Sequence, residues 1–266
     1  MGNASTASAG PSDLLKIEQV GAVLTVGLNR PAKRNALNDG IILAIQDCFS
    51  HLPEGIGAVV IHGVGDHFSS GLDLSELTEH DATEGLRHSQ MWHRVFDRIQ
   101  YSRVPVIAAL KGAVIGGGLE LACAAHIRVA EPSAYFALPE GQRGIFVGGG
   151  GSVRLPRLIG VARMIDMMLT GRVYSATEGS AYGFSQYLTE AGGALPKALE
   201  LAERVAANAP LTNFAVLQAL PMIAEANPQT GLLMESLMAT VAQSDKEAKR
   251  RIRAFLDHKT AKVKPT

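Results

Sequence analysis

Two stretches near the start, Leu15 to Val20 and Val23 to Leu28, alternate or run apolar with β-branched residues on either side of Gly21-Ala22, and that pattern predicts a β-hairpin. Asn29-Arg30-Pro31 reads as a turn. Asn38 is placed to cap a helix running to about His51, because Ile41, Ile42, Ile45 and Phe49 recur at helical spacing. Ala58 to His62 reads as a short buried strand, followed by the glycine- and serine-rich loop G-V-G-D-H-F-S-S-G-L-D-L and a helix from about Thr83 to Ser102. Further strands are predicted at Val106 to Leu110, Ile127 to Ala130 and Tyr135 to Leu138. Strands alternating with helices at this spacing predict an α/β fold whose sheet is covered by helices. Past Gly144 the pattern turns helical, with helices expected near Ala162 to Leu169, Ala176 to Tyr182, Pro196 to Asn208, Thr212 to Ala226, Gly231 to Gln243 and Asp245 to Lys259, and Ser175 and Ser244 as caps.

One stretch departs from plain amphipathic patterning. From Val106 to Glu140 an apolar run ends at Lys111-Gly112, the glycines Gly116, Gly117 and Gly118 follow, and Glu120 stands in the otherwise uncharged segment Leu119 to Ala125. The reading is a strand, a tight loop and a buried helix start. An ionised, unpaired carboxylate in an apolar helix costs several kcal/mol, so Glu120 needs a partner or a task. Half of a buried ion pair, for example with Arg128, is one reading, and chemistry is the other. Glu140, after Pro139 at the end of another short apolar run, supplies a second carboxylate.

Composition narrows the classes. The 266 residues suit one domain with an extension, and 25 basic residues against 25 acidic give no electrostatic case for nucleic acid or an anionic membrane. No run approaches the roughly 18 apolar residues of a membrane span. The start lacks the basic and apolar regions of a signal peptide, and Cys48 and Cys123 lie in apolar surroundings, so a cytoplasmic protein with reduced cysteines is expected. No ligand spacing such as H-E-x-x-H occurs among the histidines, so no metal site is expected. Gly148 to Gly151 lacks the Gly-Lys-Ser/Thr of a phosphate-binding loop and reads as a tight turn, and His67 occupies the position where a nucleophile elbow around Ser69 needs glycine.

Backbone amides at a helix N-terminus stabilise negative charge, and glycines let a ligand oxygen approach them. Gly117 is placed as one such donor, and the Ser70-Gly71 loop, lying beyond a buried strand, as a source of the second. Two amides aimed at one oxygen suit a carbonyl or thioester that becomes an enolate or a tetrahedral anion. Two carboxylates beside it can divide acid and base work if their environments separate their pKa values.

These residues resemble the crotonase (enoyl-CoA hydratase/isomerase) superfamily along nearly the whole chain. The resemblance is carried by L-N-R-P-A-K-R-N-A-L-N, F-S-S-G-L-D-L at Phe68 to Leu74, G-A-V-I-G-G-G-L-E-L-A at Gly112 to Ala122, F-A-L-P-E at Phe136 to Glu140 and G-I-F-V-G-G-G-G-S at Gly144 to Ser152. It implies a crotonase-like spiral of β-β-α units with a helical C-terminal trimerisation region: a disordered tail over residues 1–12, a core spiral over 13–200 and the helical region over 201–266. It implies oxyanion-hole amides at Ser70 and Gly117, with catalytic Glu120 and Glu140. It also implies coenzyme A contacts at Lys33, Arg34, Asn35, Ala36, Leu37, Ser70, Gly71, Leu72, Asp73 and Gly117, and at Phe255 and Lys259 near the end. No permanently bound cofactor is implied, coenzyme A arriving as part of an acyl-CoA substrate, and the assembly implied is a homotrimer or a dimer of trimers.

Hydratases of the family keep both glutamates, which makes water addition to a 2-enoyl-CoA the leading expectation. The chain is also similar to methylthioacryloyl-CoA hydratases in length and in the places of both glutamates, which would add thioester hydrolysis to hydration. A CoA thioester hydrolase or enoyl-CoA isomerase, and a non-catalytic binding protein, are the alternatives on the same fold. Val147, Val153 and Arg250-Arg251 depart from common family residues and leave the acyl group open. Leu72, Leu77, Trp92, Phe96 and Phe146 are expected to wall the acyl pocket.

Overall fold

A computed structural model of the chain describes residues 11–76 and 81–257. In order these form α1 (Pro11–Leu14), β1 (Leu15–Val20), β2 (Val23–Leu28), α2 (Asp39–Ser50), β3 (Ala58–Gly63), α3 (Ala82–Gln100), β4 (Val106–Leu110), β5 (Ala113–Ile115) and α4 (Gly117–Ala124). There follow β6 (Ile127–Ala130), β7 (Tyr135–Ala137), α5 (Gly151–Ile159), α6 (Val161–Thr170), β8 (Tyr174–Ser175), α7 (Ala176–Tyr182), β9 (Tyr187–Leu188) and α8 (Ala194–Ala206). The C-terminal helices are α9 (Pro210–Phe214), α10 (Leu220–Glu225), α11 (Pro228–Ser244) and α12 (Lys246–Leu256).

The alternation around Gly21 folds as expected, β1 pairing antiparallel with β2 from Leu15↔Leu28 to Val20↔Val23. From β2 onward the large sheet is parallel, in the order β1-β2-β3-β4-β6-β9. A second, three-stranded sheet runs β5-β7-β8. Successive units therefore place one strand in the large sheet, turn, place a short strand in the small sheet and return by a helix: β4, β5 and α4 form one such unit, turning at Gly112, and β6, β7 and α5 the next. The loop after β3 joins this scheme through the bridge Ser69↔Val114, and Leu37↔Leu72 ties the loop before α2 to it.

Caps fix the helices that frame the site. The Asn38 side chain accepts from Ile41 N, and Asp81 and Glu84 form a reciprocal capping box at α3. One face of the large sheet packs with Ile41, Ile45, Phe96, Leu119 and their neighbours in the main core, while the other face buries Val60, Ile107 and Val129 against Ala198, Leu201 and Ala202 of α8.

Several expectations need correcting. The apolar run broken at Gly112 continues in a second strand, β5, so residues 106–124 are two strands and a helix in place of the expected single strand, tight loop and helix start. Residues Gly151–Ile159, of which Gly151 reads as part of a tight turn and the rest carries no expected helix, are helix α5. The helix expected over Thr212 to Ala226 is interrupted by a π-helix, Ala215–Ala219. Pro221, just beyond it, has no N–H for the ladder. The cap of α12 is Asp245, which accepts from Glu247 N and Ala248 N, while Ser244 Oγ donates to Val241 O. Residues 11 and 12, expected in a tail, belong to α1, and the expected boundary at 200/201 falls inside α8. Residues 1–10, Leu77 and Lys259 lie outside the described residues.

Candidate active site

A cavity of about 390 Å³ opens between α3, the N-terminus of α4 and the segment after β7, and its walls include Ser70, Gly71, Leu72, Gly117, Glu120 and Glu140. Leu72, Trp92 and Phe146 line it as expected, whereas Phe96 is fully buried behind Trp92, their rings meeting edge to face at 5.7 Å between centroids.

Glycine is required where backbone and side chains crowd this cavity. Gly116 has φ +51°, and a Cβ there would lie 2.6 Å from Glu140 Oε1; one on Gly71, with φ +88°, would lie 2.7 Å from Ile115 O. Gly116→Ala is expected to lose about 1–3 kcal/mol of stability through its backbone conformation and to push Glu140 aside. Thermal unfolding and turnover measured together check this: turnover should fall more than tenfold in the protein that remains folded.

Glu120 is buried on the first turn of α4, and its Oε1 accepts from Gly149 N and Gly151 N, both at 2.8 Å. These amides lead into α5, and the sequence reading did not single out Gly149 and Gly151 as partners of Glu120. The glycine run was the available signal, since a Cβ on Gly151 would lie 2.8 Å from Glu120 Cγ. The ion pair with Arg128 does not form. Arg128 donates instead to Phe184 O and Ala125 O.

Glu140 follows β7 and is equally buried, but its Oε2 has no hydrogen-bond partner among the described residues. Burial pushes its carboxyl up to about 7, its own backbone N–H opposing and Glu120 adding to the rise. Burial also raises Glu120, against the Gly151 and Gly149 amides and the charge of Arg154. One carboxyl thus has donors that favour its charge, and the other has an oxygen with none.

The loop residues divide unexpectedly. Ser70 N donates to Arg34 O at 3.0 Å, so the expected Ser70 donor is already used in holding two loops together. The neighbouring Gly71 N goes to Ser69 Oγ. Leu72 N makes no backbone hydrogen bond among the described residues, and a Cβ built on Gly117 would lie 3.6 Å from it. Gly117 N, at the first position of α4, is one of the amides a helix leaves without an intrahelical partner.

Behind this edge, Leu37 N to Gly71 O at 2.7 Å and Asp73 N to Leu37 O at 2.8 Å zip the 33–37 loop to the 69–73 loop. Asn35 and Leu37 are fully buried, and the Asn35 amide donates to Val64 O and His67 O, so both are braces within the loop pair and their side chains are shut off from a ligand. Ala36 is buried beside them. Asp73 pairs with Arg30 at 2.9 Å and Lys33 at 3.0 Å. Burial alone would raise the Asp73 carboxyl, but hydrogen bonds from Ser75, Lys33 and Arg30 outweigh it and hold the group far below its ordinary range. Lys33 and Arg34 are exposed at the loop surface, and Phe255 is exposed on α12 and lies off the cavity. Among the described residues no group of three His, Cys, Asp or Glu side chains is placed to hold a metal ion, and no helix is long and apolar enough to cross a membrane.

Residues 18–265 match the family model for enoyl-CoA hydratase/isomerase. A probable enoyl-CoA hydratase of Bacillus subtilis is 33% identical over 254 residues, covering 94% of this chain and 97% of its own length. The 2,3-dehydroadipyl-CoA hydratase of Escherichia coli is 34% identical, covering 91% and 95%. A crystal structure from Rhodopseudomonas palustris, provisionally named an enoyl-CoA hydratase, superposes with a TM-score of 0.92 at 80% identity, covering 97% of this chain and all of that one. With its two-sheet spiral and paired glutamates, the chain belongs to the enoyl-CoA hydratase/isomerase family of the crotonase superfamily.

Proposed function

We propose that the protein is a hydratase that adds water across the double bond of a 2-enoyl-CoA thioester. The observation that carries this reading is the unequal pair of carboxyls in one cavity, Glu120 held by two amides and Glu140 with an unpartnered oxygen. The thioester oxygen accepts from Leu72 N and Gly117 N, a pair in which each donor contributes about 3–4 kcal/mol to lowering the barrier. The Glu120 carboxylate takes a proton from water, and the new hydroxyl bonds to C3. The double-bond electrons pass to C2 and the thioester oxygen as an enolate. C2 then takes the proton of Glu140, and the thioester stays intact. The assignment follows the environments: donors favour charge on Glu120, while Glu140, raised to about 7, keeps a proton to give near neutrality.

Coenzyme A is substrate in this reading, and the protein keeps no resident cofactor. The loop surface at Lys33, Arg34 and Ser70 to Asp73 is its proposed rest, with Phe255 and Lys259 reaching a neighbouring subunit's ligand. Exposed Leu220, Met222, Leu232, Leu233 and Leu237 on α10 and α11 support a homotrimer or a dimer of trimers. Balanced charge supports an enzyme without nucleic-acid or anionic-membrane partners.

A substrate panel tests the reading: crotonyl-CoA, longer 2-enoyl-CoAs, 2,3-dehydroadipyl-CoA and methylthioacryloyl-CoA, with enoyl absorbance and free thiol recorded together. Loss of absorbance without thiol release is expected. Thiol release from methylthioacryloyl-CoA after hydration assigns the bifunctional activity. Thiol release without hydration would make the protein a hydrolase, a moved double bond an isomerase, and inertness on every member a binding protein.

A further inference from the structure

Arg154 is a buried cation on α5 that touches neither carboxyl of the pair, yet it is engaged at every nitrogen of its guanidinium. Its Nη1 donates to Gly149 O at 3.0 Å, Nε to Gln100 Oε1 at 2.6 Å, and Nη2 pairs with Asp97 Oδ1 at 2.5 Å. Gly149 is also the residue whose N–H reaches Glu120. Gly150, between the two donor amides, has φ +91°, and a Cβ there would collide with the Arg154 guanidinium. Asp97 and Gln100 both sit on the last turns of α3, the helix that also carries Trp92 into the cavity. The guanidinium therefore ties α3 to the glycine entrance of α5, where Glu120 finds its donors.

We propose that Arg154 is a positioning residue for the hydration step, fixing the Gly149–Gly151 backbone so that both N–H groups converge on Glu120 and holding that carboxyl in its basic form by charge. This rests on the hydratase reading. The other titratable groups facing Glu120 are His93 from α3, Glu140 from the segment after β7 and Cys123 from its own helix. A cationic His93 acts in the same sense as Arg154, a charged Glu140 opposes it, and Cys123, its thiol pushed up to about 11 by burial, stays neutral. A planar fork is needed to hold Asp97, Gln100 and Gly149 together, which a lysine ammonium on its flexible stem does not reproduce.

The test is the pH dependence of kcat and KM for wild type, Arg154→Gln, Arg154→Lys and Asp97→Asn, using the panel thioester turned over fastest, with near-ultraviolet circular dichroism as the check on folding. In Arg154→Gln the acid limb of kcat should move up by about one pH unit, a loss of about tenfold on that limb, with KM within about twofold. Arg154→Lys should keep the limb near its wild-type position at a lower plateau, because charge remains while the fork is lost. Asp97→Asn, which likewise leaves the charge and loosens the fork, should keep the limb and lower the plateau by less. A folded Arg154→Gln with an unmoved limb, an equal kcat loss at every pH or a change confined to KM overturns the proposal. If Arg154→Gln does not fold, Arg154→Lys and Asp97→Asn decide, and a wild-type plateau in both overturns it. Failure of the hydratase reading is distinct, since the wild type itself would then be inert or would release thiol.

Discussion

Glu140→Gln lowers kcat for the best 2-enoyl-CoA roughly 1,000-fold, within the range for a positioned proton donor, and leaves KM within about threefold because the shape of the side chain is kept. The loss is in the chemical step. A glutamine still fills the space beside Gly116 but has no proton acidic enough for C2. The same carboxyl gives a pH signature. Its pKa is raised by burial to about 7, so wild-type turnover should fall as pH rises through 7 and the acid form is lost. Stability moves in step. A carboxyl raised above its ordinary value of 4.5 holds its proton more tightly folded than unfolded, so it costs the folded state progressively between those two pH values. The variant should therefore be more stable than wild type at pH 8, by on the order of 2 kcal/mol after screening by water in the open cavity, and the gain should vanish near pH 4. Kinetics from pH 5 to 9 and melting curves at pH 4 and 8 check both statements. Near-normal kcat in Glu140→Gln would remove the proposed acid.

Asp73→Ala costs about 2–3 kcal/mol of stability, because it removes a buried carboxylate that accepts from Arg30, Lys33 and Ser75. For a chain of this length that is a fall in Tm of about 4–12 °C. The same change unclips Lys33 and Ser75, so the loop pair that carries Leu72 loosens, and KM for the CoA ester should rise while some kcat persists. The sign with pH is opposite to that of Glu140. Asp73 has a folded pKa far below its ordinary 3.8, so its contribution is complete above that value and is lost only as the pH drops below it. The gap in Tm between wild type and Asp73→Ala should stay constant from pH 6 to 8 and narrow in strong acid. A gap that instead opened with falling pH would contradict this account of the clip.

Local pattern carried the parts of the fold that local physics decides. Alternation around Gly21 set the hairpin, Asn38 before Ile41 and Ile45 set α2, and a lone acid among small apolar residues singled out Glu120. What stayed hidden depends on contacts distant in sequence. Nothing in F-S-S-G-L-D-L says which amide points into the cavity. The 69–73 loop pairs with Arg34–Leu37, and that pairing uses Ser70 N while leaving Leu72 N. The four glycines at 148–151 suggested a turn because glycine is a poor helix former, whereas here they admit Glu120 and Arg154 against the start of a helix. Strand β5 is three residues long and has no period of its own, so only its partners β7 and Ser69 define it. The family resemblance implies Lys33 as a coenzyme A contact, and the fold gives it Asp73 as well. Phe96 read as a pocket wall, and α3 turns it into the core while Trp92 takes the wall.

The most direct measurement is the isotopic outcome of turnover in D₂O with the thioester processed fastest, read by mass spectrometry and NMR. With Glu120 activating water and Glu140 protonating C2, the product should be the intact 3-hydroxyacyl-CoA, with the solvent-derived hydroxyl on C3 and one deuterium on C2 added to the same face. Release of free coenzyme A with the double bond intact, deuterium without a new hydroxyl, or label on both faces of C2 would contradict it.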